Sequence, residues 1–113
     1  VDIYNPKTVR STMGSVFRVP FVYEEDLKRS VESLKQAGVT CFAAHLKGSK
    51  SCFETDFLRP AAFFVGNEGN GLSDELSAMA DVLIKIPMEG QLESLNAAVS
   101  AAVLCYEARR QRL

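Results

Sequence analysis

The chain has 113 residues, 47% of them apolar and 24% charged, with a formal net charge of −1 at pH 7. That length supports one domain, residues 1–113, with a real core and excludes two. The near-neutral charge gives no bulk signature of a polyanion-binding protein, and no stretch approaches the roughly 18 to 20 apolar residues of a membrane span. The N-terminus, Val1-Asp2-Ile3-Tyr4-Asn5-Pro6-Lys7, lacks the basic-then-apolar pattern of a secretory leader, so the cytoplasm is the expected compartment. Cys41, Cys52 and Cys105 are odd in number and share no metal-type spacing. They read as packing residues, and neither a disulfide framework nor a metal site is expected.

Asn5-Pro6 is a helix entry, with asparagine as cap and proline at the first helical position, and the short helix ends near Gly14. The Val- and Phe-rich stretch from Phe17 to Tyr23 reads as a short strand that Pro20 forces to an edge or to a start after the proline. Residues 24–37 form the clearest amphipathic helix, with Leu27, Val31 and Leu34 on one face and Gly38 after its end. Residues 39–46 read as a strand with His45, the only histidine, near its C-terminal end. A lone histidine is more often structural than catalytic. A basic loop, Lys47 to Ser51, follows, then a turn or short helix over Cys52 to Phe57.

Ala61 to Val65 is an unbroken apolar run, the pattern of a strand buried on both faces. Ser73 then caps a short helix reaching Ala80, and Asp81 to Ile86 forms a strand ended by Pro87. Ser94 is the expected cap of a long last helix, Leu95 to Arg112, with Leu95, Val99, Ala102, Val103 and Tyr106 as its apolar stripe. Strands near residues 21, 42, 63 and 84 recur every 20 or so positions, the rhythm of parallel βα units. The longest irregular loops, 66–72 and 87–93, both follow strand ends and belong at the same edge of the sheet.

The loop Gly66-Asn67-Glu68-Gly69-Asn70-Gly71 carries the chemistry. Glycine and asparagine tolerate positive φ, so it can turn tightly and bring bare backbone against a ligand. A glycine-rich βα turn with no ligand fits the same spacing. The order of glycines is neither a dinucleotide fingerprint nor a P-loop, no nucleophile elbow occurs, and one histidine leaves little room for a Ser-His-acid triad. What the loop offers is backbone groups, amides and one carboxylate, which suits an adenine-bearing neutral or cationic molecule better than a triphosphate.

Phe64-Val65-Gly66-Asn67-Glu68-Gly69-Asn70-Gly71-Leu72-Ser73 resembles the second motif of the SpoU family of RNA ribose 2′-O-methyltransferases. Ile86-Pro87-Met88 with Glu93-Ser94-Leu95-Asn96-Ala97-Ala98 resembles its third. Val1 to Lys7, with Arg10, Gly14 and Phe17, resembles the segment before the family's RNA-contacting helix. The resemblance implies an α/β fold with a parallel sheet, flanking helices and the deep trefoil knot of the SPOUT superfamily, an exception to the rule against knots. It implies S-adenosylmethionine as cofactor, tRNA or rRNA as substrate, no metal, and a homodimer packed through the last helix. By resemblance, Ala44, Gly66, Asn67, Gly69, Ile86, Met88, Ser94 and Leu95 fall at the cofactor, and Lys7, Arg10 and Arg18 at the RNA. Glu68 and Asn96 match the family's active-site polar residues, and loop bracing is an equal reading of both.

The chain departs from the family pattern in lacking the first motif, expected upstream of the segment matching Val1 together with the first βα unit. That motif carries the family's Asn and Arg for the target hydroxyl; Arg10 or Arg18 could substitute in part, though nothing in the spacing requires it. A non-catalytic S-adenosylmethionine- or RNA-binding module of the same shape therefore stands beside the methyltransferase reading, with an unrelated flavodoxin-like nucleotide-binding module as a third.

Overall fold

The computed structural model describes residues 2–67, 71–89 and 96–113. Four parallel strands, β1 (Thr40–Ala44), β2 (Lys50–Ser51), β3 (Ala61–Phe64) and β4 (Val82–Lys85), form one sheet in the order β2-β4-β1-β3. The helices are α1 (Pro6–Ser11), α2 (Leu27–Gln36), α3 (Asp74–Met79) and α4 (Ala97–Gln111), and 3-10 turns cover Ser15–Phe17 and Cys52–Glu54. The expected parallel α/β architecture is present.

Register places Phe42 beside Phe63 and Val82, and Ala44 beside Ile84. Because side chains alternate across a strand, Phe42 and Ile84 share one face, where they join Cys52, Phe57, Leu104 and Ala108 in the buried core. Phe57 meets Phe42 and Phe63 edge-to-face, each at a centroid distance of 5.0 Å, a geometry the ring quadrupoles favour. Cys41 and Ala43 occupy the opposite face, are fully buried, and α2 packs there through Val31. Helices thus cover both faces, as a parallel sheet requires.

Several expectations are corrected. The stretch 17–23 is not a strand: it is a 3-10 turn followed by irregular chain. Pro20 lacks a ladder donor, and the aromatics of this stretch pair with one another, Tyr4 with Phe17 and Phe21, and Phe21 with Tyr23. The fourth strand is instead β2, two residues whose polar sequence carries no apolar signal. β3 is an edge strand, half-buried at every position and not buried on both faces. The cap of α4 is Asn96, not Ser94, and its sheet-facing residues are Ser100, Leu104, Glu107 and Ala108. Val99 and Tyr106 of the expected stripe are 47% and 76% exposed, and Cys105 is exposed too.

A polar clamp holds the end of α4 to the chain entering β3. Gln111 accepts from Phe57 N at 2.6 Å and donates to Thr55 O at 2.7 Å. The Arg112 guanidinium donates to the carbonyls of Phe57 (2.7 Å) and Arg59 (2.9 Å). Glu107 is buried yet fully engaged, with both oxygens accepting from Arg110 and one also from Gln111. Buried polar groups persist where they are paired in this way.

The hydrogen bonds from Arg110, then those from Gln111, hold the Glu107 carboxyl down at about 2, from an ordinary 4.5. A carboxylate with a lowered folded pKa binds fewer protons folded than unfolded. Its contribution is therefore fully present above pH 4.5 and lost as pH falls toward 2. Denaturant titrations of the wild type across that window should show falling stability, and Glu107→Gln should show a shallower fall. Parallel pH profiles for the two proteins would contradict the pairing.

Candidate cofactor and substrate site

The C-terminal edge of the sheet is built from three strand exits. β1 lies between β4 and β3 in the sheet, so the turn after Ala44 is flanked on one side by Ile86 to Met88 and on the other by Gly66. In open α/β sheets this edge is where ligands bind.

The glycine loop is pinched shut at its base. Asn67 and Gly71 form an isolated antiparallel bridge, with Gly71 N donating to Asn67 O at 2.9 Å. Gly66 lies so close to this return strand that a Cβ on it would stand 2.1 Å from Gly71 C and 2.2 Å from Leu72 N. Only glycine fits there. Gly71 has φ +63°, the left-handed region that favours glycine. Ser73 then caps α3 by accepting from Leu76 N at 3.2 Å, with Asp74 and Glu75 in the first turn. Asp74 and Glu75 lie where the helix dipole favours negative charge.

The β1 exit is clamped to β4. His45 N donates to Ile84 O at 2.9 Å, Gly48 N donates to His45 O at 2.9 Å, and Lys47 N donates to the His45 ring Nδ1 at 3.0 Å. A Cβ on Gly48 would lie 2.6 Å from Ile84 C, so this turn too rests on bare backbone. At the other end of the strands, Asp81 and Cys41 exchange two bonds: Cys41 N donates to the Asp81 carboxylate at 2.7 Å and Asp81 N donates to Cys41 O at 2.8 Å. These pairs fix the stagger of β4 against β1 and so the height at which Ile86 and Met88 leave the sheet.

Of the residues assigned to the cofactor by resemblance, Ala44, Gly66, Asn67, Ile86 and Met88 meet at this edge. Ala44, Gly66, Ile86 and Met88 are half-buried, and none of the five is charged. Glu68, Gly69, Ser94 and Leu95 lie outside the described residues. Asn96 caps α4, its Oδ1 accepting from Ala98 N at 2.8 Å and from Val99 N at 3.3 Å. Lys7 and Arg10 are exposed on α1, and Arg18 is exposed just past the first 3-10 turn. Sequence reading passed over Gly48 and the locking of His45. A glycine two residues past a strand end was the available signal for the first, and nothing marked the second.

A parallel sheet whose inner strand β1 exits between the glycine loop and the segment Ile86 to Met88 defines an open-sheet α/β domain. The chain belongs to the SpoU rRNA Methylase family, whose model matches residues 1–106. It is 38% identical over 117 residues to a 23S rRNA (uridine(2479)-2′-O)-methyltransferase of Streptomyces viridochromogenes, a match covering 99% of this chain and 41% of that protein. It is 45% identical over 89 residues to a tRNA (guanosine(18)-2′-O)-methyltransferase of Thermus thermophilus, covering 78% of this chain and 46% of that one. The structure of an AdoMet-bound rRNA methyltransferase from Sinorhizobium meliloti superposes with a TM-score of 0.90 at 37% identity, over 100% of this chain and 43% of that one. The chain thus spans less than half the length of these relatives.

Among the described residues, no group of three or more His, Cys, Asp or Glu side chains is placed to hold a metal ion, and no helix is long and apolar enough to cross a membrane.

The Asn96 cap has a measurable value. Asn96→Ala should destabilise the protein by about 1 kcal/mol, the usual cost of losing a side-chain cap. Asn96→Asp, which keeps the accepting oxygen, should cost much less in urea unfolding. Equal losses would show that the cap bonds are not what Asn96 contributes to stability.

Proposed function

We propose that this chain is the S-adenosylmethionine-binding part of an RNA ribose 2′-O-methyltransferase acting on tRNA or rRNA. The observation that carries the reading is the strand-exit edge, where half-buried Ala44, Ile86 and Met88 stand beside the uncharged backbone of Gly66 and Asn67. The residues suit the cofactor: apolar side chains and uncharged backbone match an adenosine and a sulfonium, and this set has no cation to receive a triphosphate. S-adenosylmethionine supplies an electrophilic methyl group on its sulfonium.

The chain's own residues bind and orient. Gly66 and Asn67 close one wall. Ile86 and Met88 form the opposite wall and the turn after Ala44 forms the floor, and the family resemblance adds Gly69, Ser94 and Leu95 to the cofactor's contacts. Asn96 caps the first turn of α4, and the resemblance gives Glu68 an active-site or loop-bracing role. Lys7, Arg10 and Arg18 meet RNA phosphates, and Arg10 and Arg18 are the candidates for assisting removal of the ribose proton. Methyl transfer needs the sulfonium methyl and the ribose oxygen held in line, and holding them so lowers the barrier. The knot belongs to the same reading, residues 1–113 acting as a single unit, as does a cytoplasmic location, where the RNA substrates are found.

A homodimer through α4 completes the reading. Val99, Ala102, Val103 and Tyr106 line, with Phe53 and Arg110, an open groove of about 570 Å³. An apolar face of this kind favours a protein contact.

Isothermal titration with S-adenosylmethionine tests the cofactor reading, and transfer of a labelled methyl group to bulk tRNA and rRNA tests the reaction. Binding with transfer is the expected result, and alkaline hydrolysis of the product should leave the labelled nucleotide uncleaved at its 3′ side because its 2′-oxygen is blocked. Binding without transfer would instead identify a non-catalytic module of the same fold. Absence of heat at millimolar cofactor would contradict both.

A further inference from the structure

The His45 ring is locked by its neighbours, and the lock determines which of its nitrogens can act. Lys47 N donates to Nδ1 at 3.0 Å, so Nδ1 carries no proton and the ring proton sits on Nε2. The backbone of the same residue is held on both sides, its N–H by Ile84 O and its C=O by Gly48 N. Gly48 in turn is pressed against the Ile84 and Lys85 backbone. The turn therefore presents a fixed imidazole as a donor, not as a base. Among the described residues Nε2 has no hydrogen-bond partner. His45 is half-buried and follows Ala44 directly, between the exits of β4 and β3.

We propose that His45 is a cofactor-positioning residue, donating a hydrogen bond from Nε2 to an acceptor on bound S-adenosylmethionine. The proposal rests on the cofactor reading given above. The acceptor is an oxygen or ring nitrogen, in either the adenosine or the amino-acid half, and the Lys47–His45 bond serves to set the tautomer. His45 takes no proton from the substrate, because its acceptor nitrogen is already engaged.

Two substitutions separate the two nitrogens. Asparagine places an oxygen where Nδ1 stands and has nothing at Nε2. Glutamine places an N–H near Nε2 and nothing at Nδ1. His45→Asn should keep the melting temperature of the wild type and bind S-adenosylmethionine about three- to tenfold more weakly, the usual effect of one lost neutral hydrogen bond. His45→Gln should bind more nearly as the wild type does while melting lower. Repeating the titration with S-adenosylhomocysteine and 5′-methylthioadenosine locates the acceptor. A loss with both puts it on the adenosine, and a loss with the first alone puts it on the amino-acid end. His45→Asn binding within twofold of the wild type would overturn the proposal and leave the cofactor reading standing. No binding by the wild type would overturn the cofactor reading, and this proposal with it.

Discussion

The close approach of Gly66 to Gly71 and Leu72 is the constraint on which the site depends. A Cβ at position 66 would meet backbone at 2.1 Å, and backbone cannot swing aside as the tip of a side chain can. The strand β3 therefore ends in a loop that must fold back on itself at once, with Asn67 bridged to Gly71. Ser73 then starts α3 only two residues after that bridge. The base of this connection is thereby closed beside the exits of β1 and β4.

The rest of the fold sets the opposite wall at a fixed height. Asp81 and Cys41 bind one another twice at the start of the strands, and His45 binds Ile84 at their end. β4 thus has no freedom to slide against β1, and a one-residue slip would also turn Ile84 out of the core. On the core face, α4 lies over Phe42, Phe57 and Ile84 through Leu104 and Ala108. Its last turn is tied by Gln111 and Arg112 to the carbonyls and amide of residues 55–59. The segment that leads into β3 and the end of α4 are therefore held together as one unit.

Sequence periodicity made the parallel sheet legible because apolar strands and their glycine or proline ends repeat at a steady interval. It located β1, β3 and β4, and the glycine loop by composition. It failed where tertiary context decides. The Phe17–Tyr23 stretch has strand-forming residues but no neighbour to pair with, while Lys50–Ser51 has no strand character and pairs because β4 lies beside it. The face of α4 was misread because its two sides are almost equally apolar. Glu107 lies on the buried side, and its reconciliation there depends on Arg110 and Gln111, which a hydropathy pattern does not report. Motif resemblance pointed to Gly66, Ile86, Met88 and Asn96; the fold sets the first three at the strand-exit edge and makes Asn96 the cap of α4. The cap role of Asn96 and the fixed tautomer of His45 follow from hydrogen bonds that only the folded chain reveals.

The central claim is that the close approach of Gly66 to Gly71 and Leu72 shapes the proposed cofactor site. Gly66→Ala tests it most directly, with S-adenosylmethionine affinity measured by titration on protein whose fold is checked by circular dichroism. Cofactor affinity should fall at least tenfold while the helical and sheet signal is retained, because the added methyl must push Gly71 and Leu72 outward. Undiminished affinity in a folded Gly66→Ala protein would contradict the account.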